Sequence, residues 1–276
     1  MRRVLVSLSI GLVPCAAAVA QQPAAPPAQQ LAAPPMQSPA QAAAQAPQAP
    51  PGFQLNVIEQ AYLDQMLAKW EIESGKISTF RCPFDRWEYN PTFGPGADIP
   101  LNKDKGDLTY QKPDKGSFEI TEINKWQAKP LPPGQAPPAQ AQGDWVQQAD
   151  AIGEHWVCDG TSIYEYRTEQ KQLVERPIPK ELQGKSIVDG PLPFLFGAEA
   201  KKLKQRYWMR IEQQPNNDEV WLHSMPKYQA DAANYRAVTM ILDQKQFLPK
   251  AMEVVLPDGS KHVYMFRLAD SSVNGH

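Results

Sequence analysis

The chain has 276 residues, enough for one or two domains, and its 28 Lys and Arg stand against 30 Asp and Glu, a formal net charge of −2. This mildly acidic balance argues against nucleic-acid binding, because nucleic-acid-binding domains normally present a basic surface. The four histidines are scattered, and neither a Cys-x-x-Cys nor a Gly-x-Ser-x-Gly motif occurs. We therefore expect no metal, no cofactor and no catalytic residues.

Residues 1–20 have the pattern of a secretory signal peptide. Two arginines precede an apolar run, and small residues lead up to Ala20. We expect cleavage after Ala20 and export to the periplasm or cell envelope. Two alternatives stay open. The segment could remain as a membrane anchor, and residues 12–15 faintly resemble a lipidation signal, although Pro14 is unfavourable directly before Cys15.

The domain boundaries follow from composition. Residues 21–51 form a Pro-, Ala- and Gln-rich tract almost without charge. Such a tract has too few large apolar side chains to build a core, so we predict a disordered tether. One folded domain is predicted at 52–270, with a second Pro/Ala/Gln segment, 130–142, as a loop insertion and 271–276 as a tail.

A long amphipathic helix is predicted at the start of the folded domain. Asn56 and Glu59 have the spacing of a capping box, and the helix is expected to end near Gly75. A wide apolar stripe runs along it, formed by Leu55, Ile58, Tyr62, Leu63, Met66, Leu67 and Trp70. The stripe is explained either by ordinary core packing or by a lid over an apolar cleft.

After this helix the apolar period changes to that of strands. We predict nine or ten strands, the clearest at 77–89, 106–111, 117–123, 205–213, 219–224, 236–242, 249–256 and 261–268. Pro83 predicts an edge strand or a bulge, because proline has no N–H to donate. A short helix is predicted at 198–204, after the apolar run 192–196. The fold class is α+β, an antiparallel sheet with a helix packed on it.

An aromatic hairpin is predicted in the middle of the chain. Asp159 and Gly160 separate two β-prone runs and indicate a two-residue type I′ turn. By alternation, Tyr164 and Tyr166 share one face of the second strand. Trp156 stands in the first strand.

Cys82 and Cys158 remain after signal cleavage, and an exported pair favours a disulfide. Simple up-and-down pairing places them about three strands, or roughly 14 Å, apart. That is beyond the roughly 7 Å Cα separation that a disulfide spans, unless the sheet curls strongly.

The many large rings on the predicted strands allow two interpretations. They could fill a solid core, or they could line a concave face that holds an apolar ligand beneath the N-terminal helix, as apolar ligand sites are usually lined.

Several short motifs resemble the periplasmic lipoprotein carrier family, the LolA/LolB-like superfamily, and most closely its uncharacterised planctomycete members. The segments that carry the resemblance are the N-terminal helix, the strand 106–113 that ends Gln-Lys-Pro, the hairpin 158–166, the Pro-Phe-Leu segment at 193–195 and the Asp-Gly turn at 258–259. The resemblance implies a curved antiparallel sheet forming an incomplete, half-open β-barrel with the N-terminal helix as lid. It also places Lys112 at the basic position that holds the lid, where the family has arginine.

The resemblance implies a protein that carries lipid or lipoprotein acyl chains in the periplasm. The expected ligand-binding residues are Ile58, Tyr62, Met66, Trp70, Leu108, Tyr110, Lys112, Trp156, Tyr164 and Tyr166. The expected partners are those acyl chains and the inner- and outer-membrane lipoprotein-sorting machinery, with no nucleic acid, and the protein is expected to be a monomer. The alternative is a non-enzymatic envelope scaffold or interaction module whose core is filled.

Overall fold

The structure is a computed structural model that describes residues 47–130, 134, 142–151, 153–167, 170–180, 183–184, 199–215 and 217–275. The predicted signal segment 1–20, most of the tether 21–51 and most of the insertion 130–142 lie outside the described residues. The same holds for the Pro-Phe-Leu segment at 193–195. No described helix is long and apolar enough to cross a membrane.

Within the described residues, a long helix precedes the strands. Helix α1 covers Val57–Gly75, α2 covers Ala200–Arg206 and α3 covers Gln229–Ala232. The strands are β1 Thr79–Tyr89, β2 Asn102–Gln111, β3 Lys115–Ala128, β4 Gly143–Gln147, β5 His155–Asp159, β6 Ser162–Arg167, β7 Gln172–Pro177, β8 Tyr207–Ile211, β9 Glu219–Pro226, β10 Ala237–Asp243, β11 Pro249–Val255, β12 Lys261–Phe266 and β13 Ser272–Val273.

These strands form one antiparallel sheet that does not close. Its order is β7-β6-β5-β3-β2-β1-β12-β11-β10-β9-β8, with β4 pairing the far end of β3 and β13 pairing the start of β1. The end strands β7 and β8 do not pair with each other. Buried residues from both halves of the sheet join α1 in one hydrophobic core. The predicted fold, an open antiparallel half-barrel with an N-terminal helix against it, is confirmed.

Most of the strands follow from local alternation. In β1, the side chains of Phe80, Cys82 and Phe84 are buried, whereas Arg81 between them is exposed. This is the pattern of a strand with one face on a core. Four elements were not predicted: the short helix α3 and the strands β4, β7 and β13. The last of these brings Ser272 and Val273, from the predicted tail, into the sheet beside β1.

Pro83 lies neither on an edge strand nor at a bulge in the pairing of β1 with β2, so the prediction of an edge or a bulge was wrong. It lies in β1, which pairs with β2 on one side along its length. On the other side β1 changes partner at this point, since Phe80 and Arg81 pair with β13 and pairing with β12 begins at Phe84. Opposite Pro83 lies Arg267, the residue after β12, whose N–H donates to the Pro83 carbonyl at 2.9 Å. The missing proline N–H therefore falls where β12 has already ended.

The central hairpin is confirmed as β5 and β6, but its turn differs from the prediction. Cys158 pairs with Ile163, so the register makes Gly160 and Thr161 the two central residues. Gly160 has a φ of 93°, and Asp159 caps the loop by accepting hydrogen bonds from the backbone of Thr161 and Ser162. Glycine at the first central position is typical of a type II′ turn rather than type I′.

The two cysteines are free and buried. Cys82 lies on β1 and Cys158 on β5, with β2 and β3 between them, which is the three-strand separation that the sequence predicted. Burial raises the pKa of Cys82 to about 11 and also raises the pKa of Cys158. Both thiols are therefore protonated at neutral pH and poorly nucleophilic.

Candidate ligand-binding site

The predicted lid, α1, begins and ends where the sequence indicated. The Asn56 side chain accepts the backbone N–H of Glu59 at 2.9 Å, and the Glu59 carboxylate accepts the N–H of Asn56 at 2.8 Å. This reciprocal capping box satisfies two of the unpaired donors at the helix start. The helix ends at Gly75.

The buried face of α1 is not the whole predicted stripe. Its buried residues are Leu63, Leu67, Trp70 and Ser74, and Met66 and Leu55 pack partly against the core. Ile58 is 82% exposed and Tyr62 39% exposed. Placing Ile58 on the core face was therefore wrong, and Tyr62 stands at its border.

The reason is the drift of a four-residue step. Each residue turns the helix by about 100°, so each step of four drifts by about 40°. From Ile58 to Trp70 the drift reaches about 120°, which carries Ile58 round to the solvent. The buried positions 63, 67, 70 and 74 alternate steps of four and three and stay in phase.

The contacts that fasten α1 include polar ones near the surface. Lys112 Nζ donates to the Gly75 carbonyl at 3.1 Å. Lys69 Nζ donates to the Gln244 carbonyl at 3.3 Å, and Lys204 pairs with Asp64 at 2.6 Å. The last turn of α1 has no basic residue of its own, so Lys112 supplies the positive charge that favours a helix C-terminus. Lys112 thus contacts the C-terminus of α1, and its role in holding a lid stays a prediction.

The sheet face that shares a core with α1 is apolar and rich in aromatic rings. Leu108 and Tyr110 of β2, two of the expected ligand-binding residues, are buried there. The ring of Phe118 stacks on Phe84 at 5.0 Å and on Trp156 at 5.6 Å between centroids. These stacked rings form a continuous apolar wall across β1, β3 and β5.

Tyr164 and Tyr166 do not join this wall, and their grouping with Trp156 was wrong. Trp156 pairs with Glu165, whereas Tyr164 pairs with Val157. Directly paired residues point to the same face, so both tyrosines lie on the opposite face from Trp156. The predicted alternation within β6 was correct. The sequence did not reveal which of its two faces points inward.

A charged cluster on the same sheet face, near the C-terminal end of β1, was missed. Arg86 is almost fully buried and pairs with Glu88 at 3.0 Å, Asp104 at 2.9 Å and Glu154 at 2.8 Å. Burial raises the pKa of Asp104. The pKa of Arg86 is raised, because the carboxylates outweigh its burial.

His262 Nε2 lies 3.8 Å from Glu88 within this cluster, and burial lowers the pKa of the imidazole. The signal in the sequence was the charged pair Arg86 and Glu88 at inward-facing positions of β1, continuing the alternation of Phe80, Cys82 and Phe84. Among the described residues, no group of three or more His, Cys, Asp or Glu could hold a metal ion.

Comparisons with known proteins find similarity at the level of structure only. No protein-family model and no curated protein sequence matches the chain. An uncharacterised conserved protein from Thermus thermophilus is similar at 9% identity and a TM-score of 0.39, covering 77% of this chain and 88% of that one. A LolA superfamily protein from Nitrosomonas europaea is similar at 10% identity and a TM-score of 0.35, covering 78% and 94%.

A putative outer membrane lipoprotein-sorting protein domain from Vibrio parahaemolyticus is similar at 9% identity and a TM-score of 0.34, covering 77% of this chain and 91% of that one. Solved structures similar to this chain thus include a LolA superfamily protein and a putative lipoprotein-sorting protein domain. The resemblance to planctomycete members of the superfamily stays a prediction. Identities and TM-scores this low assign no function.

Proposed function

We propose that this protein is exported and binds an apolar ligand, carrying lipid or lipoprotein acyl chains in the periplasm. The observation that carries the proposal is the arrangement of α1, a capped helix whose apolar side shares a core with an apolar, open sheet. The helix precedes the whole sheet in the chain, so it can move away without breaking a strand pair.

The balance of forces on α1 supports a lid. Its polar contacts with Lys112, Gln244 and Lys204 involve exposed side chains, and such contacts contribute at most about 1 kcal/mol each. The main force is burial of Leu63, Leu67 and Trp70, since apolar area removed from water contributes about 25 cal/mol per Å². Acyl chains that enter beneath the helix would replace this burial, so opening with ligand costs much less than opening without it.

The proposed site keeps part of the predicted set. Trp70, Leu108, Tyr110 and Trp156 form or adjoin the apolar wall, Met66 borders it, and Lys112 fastens the lid. The proposed site leaves out Ile58, Tyr164 and Tyr166. Tyr62 lies at its exposed border. The monomeric state and the lipoprotein-sorting partners belong to the same proposal, with the folded domain extended past residue 270 to include β13.

Binding of a fluorescent fatty acid, cis-parinaric acid, tests the proposal, together with lipid mass spectrometry of protein purified from its native envelope. The matched variants are Met66→Glu, at the half-buried edge of the site, and Ile72→Glu, at an exposed position of the same helix. We expect M66E to weaken probe binding more than it weakens folding, and I72E to bind like the wild type. Lipid-free native protein that also ignores the probe would refute the proposal.

The alternative, an envelope scaffold with a filled core, has one observation in its favour. Leu67 and Trp70 are each only 2% exposed, so the described core is closed around the helix. A scaffold of this kind binds no acyl probe. The amide hydrogens of its helix exchange at the same slow rate as those of the sheet. Probe binding and hydrogen exchange, measured on the same protein sample, therefore distinguish the two functions.

A further inference from the structure

A cleft of about 570 Å³ lies outside the apolar core, at the open edge of β8. Three parts of the chain line it: the segment that leads into α1, the first two turns of α1 and the end of β8. Phe53 stacks on the outward-facing His223 at 5.5 Å, whereas Leu55 packs against the core. The leading segment therefore passes from one face of the sheet to the other around this edge, and the cleft opens beside its path.

Backbone groups of the sheet edge face this cleft. The N–H of Glu212 donates to Trp221 of β9 at 2.9 Å. Hydrogen-bonded residues alternate along an antiparallel strand, so Ile211 and Gln213 turn their N–H and C=O groups away from β9. Both residues line the cleft, and their N–H groups have no hydrogen-bond acceptor among the described residues. The part of this edge beyond the leading segment is therefore open, and an open edge is a template for another strand.

The walls of the cleft define what such a strand would carry. Tyr62, which is 39% exposed, and Leu55 supply an apolar side. Glu59, Glu212 and Arg210 supply the charges, and Arg210 is already held by Glu212 at 2.8 Å and by the Gly52 carbonyl. One negative charge is left in excess, which favours a basic side chain.

We propose that this cleft binds an extended peptide segment of another protein, which adds to the sheet beside β8 and places one basic residue near Glu59. Main-chain bonds to Ile211 and Gln213 give affinity, and Tyr62 with Leu55 contacts one apolar side chain of the peptide. This is the mode of strand addition. The cleft lies outside the apolar core, although the first turns of α1 form one of its walls, and its ligand is a peptide rather than an acyl chain. Peptide binding and acyl-chain uptake are measured separately, so the failure of one proposal is distinguishable from the failure of the other.

The test uses short fluorescein-labelled peptides of alternating Val and Thr, with a single Lys or norleucine at successive positions, and measures fluorescence anisotropy with the full chain. The first comparison is the same peptides N-methylated at every amide of the central segment, which blocks pairing through both edges of the peptide. The second is Gln213→Pro, which removes one edge N–H, against Gln213→Ala, which keeps it. Glu59→Gln preserves the capping box, since glutamine also serves there.

We expect saturable binding of a Lys peptide, weakened roughly fivefold by Q213P, the effect of one hydrogen bond, and unchanged by Q213A. E59Q should weaken the Lys peptide and leave the norleucine peptide unaffected. Absence of saturable binding by every peptide at about 1 mM would overturn the proposal. Equal binding of the N-methylated peptides would overturn it as well.

Discussion

Replacing Leu67 by alanine distinguishes between two roles of α1, a lid that opens and a helix fixed in the core. Leu67 is 2% exposed and points from the middle of α1 into the core. The substitution removes three buried carbon atoms at about 0.8 kcal/mol each, or roughly 2.4 kcal/mol. The cavity left behind brings the expected loss in the free energy of unfolding to about 2–5 kcal/mol.

The same substitution has the opposite effect on ligand uptake if α1 is a lid. Leu67 is fully packed in the closed state and only partly buried again by acyl chains in the loaded state. Losing roughly 2.4 kcal/mol of packing therefore raises the open population of the ligand-free protein by at most roughly 50-fold. Apparent affinity for cis-parinaric acid then rises, because it scales with the fraction of open protein. Urea unfolding measures the first effect, and a fluorescence titration measures the second.

Exposed Ile58 is the control on the same helix, since I58A is expected to change stability by less than about 0.5 kcal/mol and leave uptake unaltered. Native-state hydrogen exchange adds a third measurement, with α1 amides expected to open at lower free energy than those of β1 and β12. If L67A loses stability while uptake is unchanged or weaker, the lid reasoning is wrong and the helix is part of a fixed core.

Three further predictions concern contacts around the core. Lys112→Met removes the cation at the C-terminus of α1, and we expect uptake of the probe to rise about two- to fivefold, with exposed Lys115→Met as control, measured by stopped-flow fluorescence. Cys82 and Cys158 should resist a thiol reagent in the folded protein and both react in urea, and a native mass two hydrogens short would contradict the free thiols. Burial lowers the pKa of His262, so unfolded chains take up its proton at a higher pH than folded ones. Stability should therefore fall as the pH drops below about 6.5, and a similar slope in His262→Gln would show that another group is responsible.

Local features were predictable from the sequence because their physics is local. The capping box joins Asn56 and Glu59 across three residues, and the glycine of the central hairpin is required by the turn itself. Alternation identified the inward side of β1, and Leu108 and Tyr110 of β2 were among the expected ligand-binding residues. Lys112 was found through a family resemblance, and the structure places it against the helix C-terminus.

Features that depend on distant partners were not predictable. The cluster around Arg86 joins Asp104 and Glu154, which lie 18 and 68 residues away in the chain. Its assembly requires the register of β1 with β2 and the return of the chain at Glu154. The position of Pro83 is similar, since only the arrival of β12 and β13 from the end of the chain makes a proline harmless in a central strand.

By itself, the sequence determined where α1 begins and ends, which residues alternate along each strand and that the fold is an antiparallel sheet with a helix. Only the tertiary structure decided which side of α1 is buried and which face of β6 points inward. Periodicity defines a face, but its direction depends on what packs against it. For Tyr164 and Tyr166, pairing with β5 turned both rings away from the apolar wall.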